Sequence, residues 1–378
     1  MTLLTLETRS LTLHRYPSTT DPNLQAWDAA DEYLLRELTA EQLQTFAAQG
    51  PILILNDSFG ALACGLADYQ PVVVSDSFLS QEATRRNWQS NELNEQHLHL
   101  QDVLAPLPAV PALVILKVPK TLAMLEDQLL RLRDVMTPQT RLIAAGKAKE
   151  IHTSTLNLFE QIIGKTTTSL AWKKARLIYS QLEDKPAVTN PYPNVWQLEN
   201  SDYQIANHAN VFSRASLDIG ARFMLQHLPR QKCGLMVDLG CGNGVLGLMA
   251  LEYNPDAELL FLDESFMAIA SSRLNVENNR PQDLARCHFR TGHALTGIDS
   301  NSVDVILCNP PFHQLQAITD EIAWQMFKDA KRCLKRGGEL WVVGNRHLNY
   351  HIKLKRLFGG AECIASNSKF VILRTINR

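Results

Sequence analysis

The sequence predicts an α/β protein built from two tandem Rossmann-like domains related by duplication, with the N-terminal copy degenerate. Three observations predict it. The chain has 378 residues, more than one core usually serves, since single cores stop growing at roughly 250–300 residues. Across the C-terminal half, short apolar runs alternate with helical patterns, which implies a mostly parallel sheet with helices on both faces. The two halves also repeat each other. Ser75-Asp-Ser-Phe78 overlies Asp263-Glu-Ser-Phe266, which carries Arg85 onto Arg273, Asn87 onto Asn275 and Asn91 onto Asn279.

The domains are expected at residues 1–183 and 195–378. Between them residues 184–194 are Pro-rich, lack apolar periodicity and read as a linker. Trp196-Gln-Leu-Glu and Tyr203-Gln-Ile-Ala alternate around Asn200-Ser-Asp202, the pattern of a hairpin. Ser213 to Leu228 shows helical spacing, with Leu217, Ala221, Leu225 and Leu228 on one face and Ser213 as N-cap. Strands are then expected at 235–239, 258–262, 288–292, 303–308, 338–344 and 370–376. Helices fit 244–253, 265–278, 319–335 and 347–358. The runs Glu362–Ala365 and Phe370–Thr375 are separated by a short turn, so the final strand is expected to be antiparallel.

Composition excludes several classes. The chain is 45% hydrophobic and 20% charged, as in an ordinary globular enzyme. Residues 1–10 lack a basic segment followed by an apolar core, so no secretory signal is expected. The longest apolar run, Ala109 to Leu116, is far short of a membrane span. Seven cysteines with no C-x-x-C pair argue against a disulfide framework or a zinc site, and a reducing cytoplasm is the expected home. The net charge of −2 hides an asymmetry. Residues 1–104 carry 5 basic and 14 acidic side chains, residues 105–182 carry 11 and 5, and residues 328–378 carry 12 and 3. The last two segments offer basic surfaces to a polyanion.

Val237-Asp-Leu-Gly-Cys-Gly-Asn-Gly244 reads as a strand entering a glycine loop and a helix, the arrangement that brings backbone N–H groups up to a ligand. Gly242, Gly244 and Gly247 also satisfy G-x-G-x-x-G, so a nicotinamide dinucleotide has to be weighed. Two features favour S-adenosylmethionine. Asp238 precedes the glycines, where a carboxylate suits a methionine ammonium better than a pyrophosphate. Asn309-Pro-Pro-Phe312, at the end of the expected fourth strand, has no role in hydride transfer. Asp263, at the end of the second strand, suits ribose hydroxyls in either case.

Asn309 to Phe312 reads as a clamp for a planar amine. The amide oxygen of Asn309 and the carbonyl of Pro310 both accept hydrogen bonds from an NH₂ group. Pro310 and Pro311 stiffen the corner, and Phe312 offers a flat face for stacking. Alignment of amine, methyl carbon and sulfur then supplies most of the catalysis, with no metal and no covalent intermediate. The N-terminal copy has lost these groups: Asn56 and Ser58 replace Gly240 and Gly242, Ser75 replaces Asp263, and Lys117 replaces Asn309. Lys117 and Lys120 instead sit where a substrate phosphate is expected to be held, and Lys147, Lys149, Lys173, Lys174 and Arg176 lie in the basic segment that offers its surface to a polyanion.

The glycine loop, Asn309-Pro-Pro-Phe-His313, Asn207-His-Ala-Asn-Val-Phe-Ser-Arg214 and Leu217-Asp-Ile-Gly220 resemble the bacterial guanine-N2 ribosomal RNA methyltransferases of the RsmC/RlmG type. The resemblance covers nearly the whole chain. His152-Thr-Ser-Thr-Leu156 and Leu170-Ala-Trp-Lys-Lys-Ala-Arg176 bring it nearest the large-subunit enzymes. It implies two class I methyltransferase domains and methyl transfer from S-adenosylmethionine to the exocyclic N2 of one guanine in 23S rRNA not yet packed into a subunit. It also implies that Asp238, Gly240, Gly242, Gly244 and Asp263 bind the cofactor, that Phe212, Ser213 and Asp218 lie over its methionine end, and that Asn309 borders it while Asn309 to Phe312 grip the guanine. Gly292-His-Ala294 departs from the acidic residue that many class I enzymes place after the third strand. Backbone groups are expected to serve the adenine amine there. Because two fused domains have less need of a partner, a monomer is expected. The competing readings are a 16S rRNA guanine-N2 enzyme, a glutamine-N5 protein methyltransferase, a DNA adenine-N6 enzyme and a non-catalytic RNA-binding assembly factor. Phe312-His313 and the basic N-terminal segment favour RNA, and the intact glycines and Asn309 favour chemistry.

Overall fold

A computed structural model describes residues 2–7, 9–19, 21, 23–311 and 316–378, without the side chains of 316–320. The chain divides into two compact units, Met1–Pro191 and Tyr192–Arg378.

The first unit opens with a hairpin of β1 (Leu3–Thr5) and β2 (Ser10–Thr12), followed by α1 (Ala29–Glu37) and α2 (Ala40–Gln49). Then come β3 (Ile52–Leu55), α3 (Ala61–Gly65), β4 (Val72–Ser75), α4 (Phe78–Ser90) and β5 (His99–Asp102). β6 (Leu113–Lys117), α5 (Leu122–Val135), β7 (Arg141–Lys147), α6 (Thr153–Ile162), β8 (Thr166–Thr168) and β9 (Ala175–Ser180) complete it. The second unit repeats the plan. It starts with a hairpin of β10 (Asn194–Gln197) and β11 (Gln204–Asn207), then α7 (Ile219–Leu225), β12 (Gly234–Leu239) and α8 (Val245–Tyr253). β13 (Ala257–Asp263), α9 (Phe266–Asn279), β14 (Cys287–Thr291), β15 (Val303–Cys308) and α10 (Gln316–Cys333) follow. β16 (Leu334–Asn345), α11 (Tyr350–Phe358), β17 (Glu362–Ser366) and β18 (Phe370–Ile376) close the chain.

Each unit holds a seven-stranded sheet, ordered β5-β4-β3-β6-β7-β9-β8 in the first and β14-β13-β12-β15-β16-β18-β17 in the second. The order is the same in both, and β9 and β18 run antiparallel to their neighbours β7 and β16. Central strands are buried end to end (β3 and β6 throughout, β15 from Val305 to Cys308), as expected where helices cover both faces. No helix among the described residues is long and apolar enough to cross a membrane.

Side-chain hydrogen bonds show how closely the copies correspond. Asn91 accepts from the Thr12 amide (2.8 Å) and donates to its carbonyl (2.8 Å), and Asn87 does the same for His14 (2.9 and 2.8 Å). Asn279 grips Gln204 (2.8 and 2.9 Å) and Asn275 grips Ala206 (2.7 and 2.9 Å). In each unit two asparagines one helical turn apart therefore pair with the second strand of the hairpin or the residues just after it, as a neighbouring strand would.

The helix expected over 213–228 is shorter. It runs from Ile219 to Leu225, and its N-cap is Asp218, whose carboxylate accepts from the Ala221 amide at 2.8 Å. Ser213 has φ +55° and lies in a turn, five residues before the actual cap. Leu217 still packs in the core, so its periodicity reflects burial and not helix. β16 starts four residues earlier than expected, across a register shift between Val303 and Val305 of β15.

Candidate active site

Parallel pairing of β12 with β15 aligns Leu239 with Cys308. The next residues along the two strands, Gly240 and Asn309, therefore leave neighbouring strand ends, which lie about 4.8 Å apart in any sheet. The glycine turn and the Asn-Pro-Pro corner thus start side by side on the carboxyl edge of the sheet, where open α/β folds place their ligands.

The turn is held from behind. Gly240 and Cys241 donate their amides to the Leu262 carbonyl at 2.8 and 3.1 Å. The Gly242 amide donates to Asp263 at 2.9 Å, Ser272 donates to the Gly242 carbonyl at 3.0 Å, and Asn275 donates to the Asn243 carbonyl at 2.8 Å. Asn243 also donates to the buried Asn207 at 3.0 Å, which ties the Asn207–Arg214 segment to the loop. Gly240, Gly242 and Gly244 adopt φ of +70°, +56° and +76°, the region where a side chain is strained.

The reasons for glycine differ along the loop. At Gly247 a Cβ would lie 2.3 Å from the Phe261 ring, and at Gly244 it would lie 3.0 Å from the Ser272 backbone, so both serve packing. At Gly242 a Cβ would meet nothing within 4 Å. That position faces open space, so its backbone conformation and not packing asks for glycine, and the space beside the loop is left clear.

Two carboxylates flank the turn. Asp238 is 1% exposed and accepts from the Gly247 amide at 2.9 Å. Burial pushes its carboxyl up to about 7, the Gly247 bond opposes that rise, and Asp263 nearby adds to it. The Asp263 carboxyl is also raised by burial, against hydrogen bonds from the Ser265 and Gly242 amides. Both carboxylates therefore anchor the loop before any ligand arrives.

Asn309 is half-buried, Pro310 buried and Pro311 exposed. Phe312 lies outside the described residues. The Asn309 amide nitrogen donates to Asp218 Oδ2 at 3.3 Å. Its Oδ1 is buried and has no hydrogen-bond partner among the described residues. A buried unsatisfied acceptor is costly and calls for a ligand or another explanation. Phe212 is 51% exposed and Ser213 half-buried. Sequence reasoning missed two further neighbours. A Cβ at Gly240 would lie 3.4 Å from Met326, and one at Gly220 would lie 3.2 Å from Phe370. Both come from elements late in the chain, and no local motif marks them.

In the first unit the corresponding place is filled from within. Asn56 has φ +67°, matching Gly240, and donates to the Lys117 carbonyl and to Gln128 at 2.9 Å each, while Gln128 donates back at 2.8 Å. Lys117, expected as a phosphate ligand, is a correction. Its ammonium is 2.7 Å from both Asp28 and Asp31, and the residue is only 9% exposed, so it is spent inside the fold. Lys173 bonds Glu32 at 2.6 Å and lies over the Trp172 ring, and Lys147 is 3.5 Å from Glu150. Arg176 is half-buried with Nε unpartnered among the described residues. Lys120, Lys149 and Lys174 are exposed and carry no ion pair among the described residues.

Comparison with known proteins covers both halves. Residues 1–184 match the RLMG N-terminal domain and residues 202–374 the methyltransferase small domain. The chain is 58% identical over its whole length to the ribosomal RNA large subunit methyltransferase G of Erwinia tasmaniensis, covering 99% of that protein. It is 59% identical to the enzyme of the same name from Aeromonas hydrophila, with all of both chains covered. Among solved structures, the T. thermophilus 16S rRNA N2 methyltransferase RsmC, in complex with AdoMet and guanosine, shares the fold with a TM-score of 0.74. That match has 18% identity and covers 100% of this chain and 98% of the other. The chain belongs to the ribosomal RNA large subunit methyltransferase G family.

Proposed function

We propose that this protein transfers a methyl group from S-adenosylmethionine to the exocyclic N2 of a guanine in 23S rRNA, acting on RNA outside the finished subunit. The observation that carries the reading is the buried, unsatisfied Oδ1 of Asn309 beside an open glycine turn. An acceptor that no described residue uses, next to a glycine turn whose open face no described side chain fills, fits an amine held against a cofactor. The names of the relatives supply the RNA.

Gly240, Gly242, Gly244, Asp238 and Asp263 would hold the cofactor, with Phe212 and Ser213 covering it. When bound, the cofactor supplies an electrophilic methyl carbon on a sulfonium. Asn309 Oδ1 and the Pro310 carbonyl accept the two N2 hydrogens, which draws the nitrogen toward tetrahedral geometry and frees its lone pair. The new C–N bond forms as the C–S bond breaks onto sulfur, and the nitrogen then gives a proton to water. Pro310 and Pro311 keep the carbonyl in place, and positioning of this type is worth roughly 7–11 kcal/mol. Phe312 would stack on the base.

The guanine must leave its pair to reach such a corner, which is least costly in unpaired RNA. Residues 1–183 serve as an inactive methyltransferase-like RNA-binding domain, joined to the catalytic residues 195–378 through 184–194. Phosphate contacts come from Lys120, Lys147, Lys149, Lys173, Lys174 and Arg176. They also come from Arg346, His347 and Lys369, which are exposed where β16 and β18 meet on the same sheet edge as Asn309. The protein acts as a monomer in the cytoplasm.

The test is incubation with labelled S-adenosylmethionine and free 23S rRNA, free 16S rRNA or ribosome-depleted protein, followed by nucleoside analysis. Label in N2-methylguanosine from 23S rRNA is expected. Label only in 16S rRNA or only in protein overturns the substrate. No label, with no heat on titration with cofactor, would leave an assembly factor.

A further inference from the structure

An amide side chain has an acceptor end and a donor end, and the clamp works only with the acceptor facing the amine. Flipped, Asn309 would point NH₂ at NH₂. Something in the fold has to settle the choice, and among the described residues the side chain hydrogen-bonded to this amide is Asp218. A carboxylate accepts and does not donate, so it takes Nδ2, at 3.3 Å, and leaves Oδ1 without a partner among the described residues. Asp218 is itself fixed, because the same Oδ2 caps α7 by accepting from the Ala221 amide at 2.8 Å. Gly220 keeps the space clear: a Cβ there would lie 3.0 Å from Asp218 Oδ2 and 3.7 Å from Asn309 Oδ1.

The first unit shows the same contact with the chemistry removed. Asp28 caps α1 as Asp218 caps α7, and its carboxylate meets the residue at the end of the fourth-strand counterpart, here Lys117 at 2.7 Å. The link between a cap carboxylate and a strand-end donor has outlasted the exchange of asparagine for lysine. An ammonium has no second end to orient. An amide does, and only in the second unit does the link decide anything about chemistry.

We infer that Asp218 is a positioning residue that sets the direction of the Asn309 amide. This rests on the proposed amine methylation. Asp218→Ser and Asp218→Thr keep a capping oxygen for Ala221 but end one atom short of Asn309. Asp218→Asn keeps an acceptor at the original reach. Losing a hydrogen bond to a charged group is worth about 1.5–3 kcal/mol, so kcat of the Ser and Thr variants is expected to fall about ten- to hundredfold. Cofactor affinity by calorimetry and the thermal midpoint should stay near those of the parent, and Asp218→Asn should recover most of the rate. Parental kcat in both capping variants overturns the inference. So does a loss confined to cofactor affinity, and so does an Asn variant no faster than Ser. A parent that puts no methyl on rRNA guanine instead sinks the function, a distinct result read in the same assay.

Discussion

Gly242→Ala separates the cradle from the fold. The residue has φ +56°, where an L side chain costs about 1–2 kcal/mol. A Cβ at Gly242 meets nothing within 4 Å, so no packing clash is added. For a unit of residues 192–378 such a cost lowers the thermal midpoint by roughly 2–8 °C. If the cofactor approaches the loop backbone here, the methyl group intrudes on bound ligand, and overpacking costs about 1–3 kcal/mol. At 1.4 kcal/mol per factor of ten, cofactor affinity should drop roughly 5- to 150-fold. Titration calorimetry with S-adenosylmethionine and a melting curve on the same sample read the two effects independently. Gly244→Ala is the contrast. Its Cβ would lie 3.0 Å from the Ser272 backbone, so it should cost more stability than Gly242→Ala. Unchanged cofactor affinity in folded Gly242→Ala would refute the assignment of the loop as cradle.

Asn309→Ala should lower kcat by about a hundredfold, the scale of losing one preorganised hydrogen-bonding group, with calorimetric cofactor affinity retained. Asp238 predicts a pH effect. Its folded carboxyl sits at about 7 against an ordinary 3.8, so between those values the folded protein keeps a proton the unfolded chain has released. Its contribution to stability is therefore present below about pH 4 and lost as pH rises through 7. Asp238→Asn should flatten that slope and be the more stable protein at pH 8, as checked by urea midpoints at pH 5 and 8. Lys117→Ala should destabilise the first unit by about 3–5 kcal/mol, because it strands the buried Asp31 carboxylate. It should leave the salt dependence of RNA binding unchanged. Charge reversal at the exposed Lys120, Lys149 and Lys174 should do the opposite, changing stability by less than about 0.5 kcal/mol each while weakening RNA binding and its salt slope in filter binding.

The mostly parallel sheet and most strand limits of the second half were legible because buried parallel strands are continuous apolar runs bounded by turn residues. Val303–Cys308 and Phe370–Ile376 match their expected limits. The glycine loop and Asn309 were legible because close backbone approach and paired acceptors leave few residue choices. What failed was whatever depends on distant partners. Lys117 reads as a free cation until Asp28 and Asp31, 89 and 86 positions earlier in the chain, are brought against it. The start of α7 failed for a local reason: the apolar spacing from Leu217 to Leu228 was extended back to Ser213 as cap, whereas the helix begins after Asp218. The tie between Asp218 and Asn309 crosses 91 positions and leaves no trace in spacing.

The buried triad of Lys117, Asp28 and Asp31 makes the silence of the N-terminal half hard to reverse. Restoring asparagine at 117 would remove the cation that two carboxylates now share, and Asp31, which burial already pushes up to about 7, would lose the charge that offsets its burial. Reopening the loop would also mean undoing the reciprocal bonds of Asn56 with Gln128. Each step back toward an active site passes through a less stable protein than the one before it. Selection on foldedness alone therefore works as a ratchet, freeing this half to diverge at its surface while its former pocket stays shut.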